Sequence, residues 1–198
     1  IPPVVEGYAG AQFDWVKLSD AEREAKAREL YEKAGYSKDN PLEVEIRYNS
    51  GEGNKKIASV ISSMWRSVLG AEVTLRNQEW KVFLDNVRQG NTEAYRLAWI
   101  GDYNDPNTFF ELMNSKFGLN GTGYASAEYD RLQEKQAHMP DGPERMKTMK
   151  QAEAVLLADS PIIPIYFYVS KYLIKDYVKG FEGNPLDSYY SKDLSIEP

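Results

Sequence analysis

The sequence predicts an α/β fold, with a mainly parallel or mixed sheet flanked by helices. Three observations carry that expectation. From residue 19 to residue 100, segments of helical and of strand pattern alternate: helix, strand, helix, strand, helix, strand. Glycines punctuate the helix ends at Gly35, Gly70 and Gly90, where a left-handed cap is easiest to adopt. The strands also differ in kind. Leu42 to Tyr48 alternates apolar and charged residues, so it has one wet side. Tyr95-Arg96-Leu97-Ala98-Trp99-Ile100 is apolar and aromatic with a single charge, which suits a strand covered on both faces.

Taken in order, residues 1–18 lack helical periodicity, carry Pro2, Pro3, Gly7 and Gly10, and are expected to form a loop lying over the fold. Ser19-Asp20-Ala21-Glu22 is a capping box that opens a helix rich in Ala, Glu, Lys and Arg. After the first strand, Asn49 to Asn54 reads as a Gly-rich turn. It leads into a helix whose apolar stripe is Ile57, Val60, Ile61, Met64, Trp65 and Val68, with Trp65 read as core. Glu72 to Asn77 is the next strand and Trp80 to Arg88 the next helix. Asn114 to Ala125 is a Gly/Asn/Ser loop, followed by helices over about 127–137 and 144–158. Asp141-Gly142-Pro143-Glu144 is expected to cap the second of these, with proline in the first turn. Ile162 to Val169 reads as a hydrophobic strand that Pro164 pushes towards an edge. Residues 179–198 are mostly turn and loop, with a short strand around Leu194.

Composition excludes several classes. The 198 residues carry a net charge of −6 with no basic cluster, which argues against nucleic acid and anionic membrane surfaces. Without cysteine there is no disulfide, thiol catalysis or thiolate metal site. No apolar run approaches the roughly 20 residues of a membrane helix. The chain begins Ile1-Pro2-Pro3 without methionine, and is read as a processed or truncated piece of a larger protein. Fourteen tyrosines and four tryptophans suit either a core or a wet, ligand-gripping surface.

The chemistry concentrates after Tyr95. The strand stops at Gly101-Asp102, Pro106 prevents regular continuation, and Asn107 or Thr108 can cap a short helix over 109–113. Ends of strands are where open α/β folds place ligands. Asp102 is therefore a candidate carboxylate beside Trp99 and Arg96, although an Asp in such a turn also serves simply as a cap. Asp102 with Asp105 allows a carboxylate-dependent hydrolase as a different-class alternative, but nothing marks either as a raised-pKa acid. The one histidine, His138, ends a polar helix, and no nucleophile elbow or phosphate loop occurs. Asp102-Tyr103-Asn104-Asp105 is similar to the opening of a calcium loop but fails at Pro106 and Met113. No metal and no cofactor is expected. Asn120-Gly121-Thr122 matches a glycosylation sequon by pattern alone.

These residues also carry a family resemblance. Asn77-Gln78-Glu79-Trp80-Lys81-Val82-Phe83-Leu84-Asp85 resembles the oligopeptide-binding proteins of bacterial peptide ABC importers, the solute-binding protein family 5. So do Arg96 to Pro106, Ile163 to Val169 and Asn184-Pro185-Leu186-Asp187. The resemblance implies an extracytoplasmic binder that captures oligopeptides in a two-lobed, periplasmic-binding-protein-like clamp. By this resemblance, residues 1–198 are an incomplete C-terminal lobe, and residues 179–198 a tail returning to an N-terminal lobe. Asp102 falls where the family's aspartate pairs with the peptide ammonium. Trp99 and Trp80 match pocket walls, Arg96 an arginine near the ligand, and Tyr168 a tyrosine near the peptide backbone. Ala98 and Ile100 lie on the strand that pairs with the extended peptide.

The resemblance further implies permease subunits as partners, a monomer, no enzymatic activity, and a periplasmic or lipid-anchored location outside the cytoplasmic membrane. Dipeptides, cell-wall (murein) peptides or another cationic solute are the alternatives within the family. Two positions depart from the pattern. A family arginine falls on Val87, with Arg88 one residue later and so turned by about 100° on the helix, and Asn54 stands where some relatives carry histidine.

Overall fold

Ser19 opens the first helix by the expected capping box. In the computed structural model, which describes residues 1–5, 7–184 and 186–197, the Glu22 amide donates to the Ser19 hydroxyl and the Ser19 amide to the Glu22 carboxylate. Helix α1 then runs Asp20–Lys33. Contacts divide the chain into two units, one of Gln12–Ala98 with Gly118–Gly123, the other of Ile1–Ala11, Trp99–Phe117 and Tyr124–Pro198. The first contains the main sheet.

In that unit β1 (Glu43–Asn49), α2 (Glu52–Leu69), β2 (Glu72–Gln78), α3 (Trp80–Arg88) and β3 (Ala94–Tyr95) follow in turn. The three strands are parallel in the order β2-β1-β3, with Ile46 opposite both Leu75 and Ala94. This register brings Ile46, Tyr48 and Val73 into one core with Ala58 and Ala71, against which Ile61, Trp65 and Leu69 pack. Burying each large apolar side chain contributes roughly 1.5–3 kcal/mol. Helix α2 closes on Gly70 at φ +72°, a left-handed cap that costs glycine little.

Several expectations for this unit need correction. Residues 1–18 are not all loop, since Asp14–Lys17 forms a turn of 3-10 helix. The Gly-rich turn is shorter than expected, because α2 already begins at Glu52. The apolar stripe of α2 is not used in full, with Val60 and Met64 exposed. The small residues Ala58 and Ser62 occupy the buried face and let the helix backbone approach the sheet. The strand expected over 95–100 ends at Tyr95, apart from one further bond from the Arg96 amide to the Arg47 carbonyl (2.9 Å). It is not covered on both faces either, since Leu97 and Ile100 are exposed. The physical reason is pairing: β1 turns into α2 just past Asn49, and no strand among the described residues flanks β3 on its other side.

The second unit contains α4 (Asn107–Phe110), a 3-10 turn at Glu111–Met113, α5 (Ala127–Ala137), α6 (Pro143–Asp159), and an antiparallel pair of β4 (Val178–Lys179) and β5 (Ser195–Ile196). Phe110, Tyr129, Leu132, Met149, Ala152 and Leu156 form its core. Tyr129 satisfies its buried hydroxyl by donating to the Phe110 carbonyl at 2.7 Å. The loop over 1–11 is tied to α6 through buried Glu153, which accepts from the Tyr8 hydroxyl (2.8 Å) and the Ala11 amide (2.5 Å).

Two corrections apply here. Asp141 does not cap α6; Gly142 is the cap residue, and the Asp141 carboxylate pairs with Arg145 at 3.2 Å. Ile162 to Val169 is not a strand, and Ile163, Ile165, Tyr166, Phe167, Tyr168 and Val169 are exposed. Pro164 lacks an amide, and no backbone among the described residues pairs with the segment. The short strand expected near Leu194 is present as β5. Pro185, in the expected tail turn, lies outside the described residues.

One core atom gives a stability test. The Ser62 hydroxyl is buried without a hydrogen-bond partner. Ser62→Ala removes that cost and favours the helix, so it is expected to raise stability by about 1 kcal/mol. The urea midpoint measures it, and a clear loss of stability would reveal a partner for the hydroxyl.

Candidate functional site

The carboxyl edge of the parallel sheet is the first place to look, because the strand order reverses at β1 and open sheets bind ligands at such points. Asn49 ends β1 there and Ser50 follows it, Gln78 ends β2, and Arg96 and Ala98 follow β3. The Ser50 amide donates to the Gln78 carbonyl (2.9 Å), and the Ser50 hydroxyl to Asn77 Oδ1 (2.9 Å). Asn54 donates to the Asn49 carbonyl (3.1 Å). Gln78 Oε1 is buried without a partner, so this edge holds an acceptor that a donor could satisfy.

Trp80 begins α3 at this edge and is 46% exposed. Its ring stacks on fully buried Phe83 (5.9 Å), which meets Tyr95 edge-on (6.3 Å). One face of the indole is thereby braced by the core, which makes it a rigid aromatic platform. Val87 is buried, while Arg88 is exposed and lies 3.8 Å from Asp85 on the same helix. The cation one residue on therefore does not occupy the place of Val87, as the helical rotation implies.

In the second unit the turn after Ile100 holds two carboxylates in opposite states. Asp105 is bound at both oxygens by Arg145, at 2.5 and 2.9 Å, and accepts the Asn107 amide at 2.8 Å. Burial pushes its pKa up, but the Arg145 hydrogen bonds, the Asn107 amide and the Arg145 charge outweigh that and hold it below the usual carboxylate range. Gln136 closes the arrangement by accepting from Arg145 (3.1 Å) and donating to Asn107 (2.7 Å). Asp102 is exposed, and its carboxylate has no hydrogen bond or ion pair among the described residues. Its amide, however, is held by the Thr108 hydroxyl at 3.0 Å. Thr108 thus does not cap the short helix as expected; Asp105 takes the free amide there instead.

Trp99 is half-buried with an unpartnered indole N–H, Ile100 is exposed, and exposed Tyr168 has its ring 5.0 Å from that of Tyr166. The expected residues therefore fall into two sets, Trp80, Arg96 and Ala98 in the sheet unit and Trp99, Ile100, Asp102 and Tyr168 in the other. The sequence reasoning missed Arg145, Thr108 and Gln136. Asp105 lay within the singled-out stretch, but its partner stands 40 positions away on another helix, and no short-range signal marks it.

His138 is exposed with Nδ1 2.8 Å from the Glu134 carbonyl, and Asp105 is ion-paired, so neither is placed as a catalytic acid or base. Residues 1–121 match the family of bacterial extracellular solute-binding proteins, family 5 (middle), and the chain belongs to that family. The Salmonella typhimurium periplasmic oligopeptide-binding protein OppA is 37% identical over 98% of this chain and 36% of its own length. The Escherichia coli protein YgiS, described as a probable deoxycholate-binding periplasmic protein, is 38% identical over 99% of this chain and 37% of its own. The structure of the Escherichia coli murein tripeptide-binding protein MppA superposes with a TM-score of 0.91 at 35% identity, covering 98% of this chain and 38% of that one. The chain thus spans little more than a third of the length of these relatives.

The Asp105–Arg145 pair makes an acid-stability prediction. Because the folded pKa of Asp105 lies below its unfolded value, folding binds fewer protons there. Its stabilisation is fully present above the unfolded pKa of about 4 and is lost as pH falls through the lower folded value. Arg145→Met leaves Asp105 half-buried and unpaired, and is expected to cost roughly 2–4 kcal/mol at neutral pH. The variant should also lose stability less steeply than the unmodified protein below about pH 4. Denaturant titrations at several pH values measure both effects; parallel pH profiles would show that Asp105 does not depend on Arg145.

Proposed function

We propose that the complete protein containing this chain is an extracytoplasmic, periplasmic solute-binding protein that captures oligopeptides and delivers them to the permease subunits of an ABC importer. One observation carries the peptide reading. Of two carboxylates in one turn, Asp105 is consumed by the fold, whereas Asp102 is held by its backbone and left unpaired among the described residues. An α-ammonium is common to every peptide, so a fixed carboxylate sets register without reading sequence. In this reading Trp80 and Trp99 wall side-chain pockets, Ala98 and Ile100 offer backbone to an extended ligand, Tyr168 approaches its backbone, and Arg96 stands near it. Residues 1–198 would be a C-terminal lobe that works, as a monomer, with an N-terminal lobe of the same polypeptide. The names of the relatives, as binding proteins for oligopeptides and murein peptide, support a binder rather than a hydrolase.

A second reading has its own support. A relative of equal similarity is described as a probable deoxycholate binder. Deoxycholate carries a carboxylate and no ammonium, so it would have no use for Asp102 as a cation anchor.

The test is made on the complete protein. Asp102→Ala is expected to weaken binding of short peptides by about 10²–10³-fold, to a similar degree whatever their sequence. N-acetylated peptides should bind the unmutated protein poorly, and the mutation should add little to that loss. Calorimetry with free and acetylated forms of one peptide measures both effects. Fully additive losses would show that Asp102 is not the anchor, and tight deoxycholate binding unaffected by Asp102→Ala would favour the second reading.

A further inference from the structure

Asp102 is exposed, yet its backbone is not free to move. The Asp102 amide donates to the Thr108 hydroxyl at 3.0 Å, and Thr108 itself is fully buried. One residue earlier, a Cβ on Gly101 would stand 3.1 Å from the Thr108 methyl and 3.3 Å from the Phe109 ring. The chain therefore passes Thr108 so closely that a side chain at position 101 would push the two apart. Two consecutive residues are registered against one threonine, through its methyl at Gly101 and its hydroxyl at Asp102.

Thr108 is fixed in turn. It belongs to a helix of four residues, too short to be stable alone, whose entrance is held by a closed ring of side chains. In that ring Arg145 grips Asp105, Asp105 accepts the Asn107 amide, and Gln136 joins Asn107 back to Arg145. Asp102 is thus braced through Thr108 against α5 and α6.

We propose that Thr108 is a positioning residue for ligand binding: its hydroxyl fixes the Asp102 backbone and so sets where the carboxylate is presented. The inference rests on the reading of Asp102 as the ammonium anchor. A carboxylate on a loose loop must be ordered when the ligand arrives, whereas one already held loses less freedom on binding. The contribution of Thr108 is therefore confined to ligands that use Asp102. A role in folding alone would not discriminate among ligands.

The experiment uses the complete protein, with the tripeptide Ala-Lys-Ala and its N-acetyl form as probes and calorimetry as the readout. Thr108→Val keeps the shape and removes the acceptor; Thr108→Ser restores a hydroxyl. Thr108→Val is expected to weaken the free peptide about tenfold, leave the acetylated one within about twofold, and add nothing in an Asp102→Asn background. Thr108→Ser should recover most of the affinity. If Thr108→Val folds poorly, Gly101→Ala displaces the same contact and should give the same selective loss. Equal weakening of both peptides, or a loss additive with Asp102→Asn, would overturn the positioning role while leaving the anchor intact. Should Asp102→Asn fail to narrow the difference between free and acetylated peptide, the anchor reading falls, and the inference about Thr108 falls with it.

Discussion

The turn that follows Ile100 depends on one ion pair. Arg145 binds both oxygens of Asp105, and the geometry is two parallel N–H···O contacts, the form in which a guanidinium fixes orientation as well as charge. Neither partner is highly exposed, at 11% and 24% for the two side chains, so solvent screens the pair less than the surface pairs along α1. Without this tie the four-residue α4 has too few internal hydrogen bonds to persist. With it, Asn107, Thr108 and Phe110 are carried into fixed places, and Phe110 enters the core beneath Tyr129.

The sheet unit uses a different principle. Its candidate residue Trp80 sits on an apolar foundation rather than on a polar ring. Phe83 is fully buried and supports Trp80, and the small residues of α2 bring that helix close to the strands. The polar exception is Glu45, which accepts from Arg47 at 2.6 Å and also pairs with Arg76. Burial pushes its carboxyl pKa up, but the two arginines outweigh that and keep it low. One carboxylate thereby satisfies cations on two neighbouring strands, as opposite-charge pairs on a sheet face do.

Family membership settles less about the ligand than about the frame. Relatives of near-equal identity are named for oligopeptides and for deoxycholate, which fits the general separation of fold from function. What distinguishes one ligand from another must lie in individual side chains. In this chain the candidates are Asp102, whose carboxylate has no partner among the described residues, and a buried Val87 with Arg88 turned to Asp85.

Much of the framework was legible because it is set by chemistry within three or four residues. The Ser19–Glu22 box, the Gly70 cap, and the limits of Trp80–Arg88 and Ala127–Ala137 all rest on local hydrogen bonds and helical spacing. Asp102 was singled out by its place after an apolar run and by a motif that resembles the family's, and its role stands as a proposal. The limits of the strands were not legible. Apolar runs such as Tyr95 to Ile100 and Ile162 to Val169 declare a preference for burial, but a strand exists only where a second backbone accepts its hydrogen bonds. The Asp105–Arg145 pair was hidden for a related reason. Local sequence specifies which groups can bond, whereas a partner 40 residues away is chosen by how helices and turns pack in three dimensions.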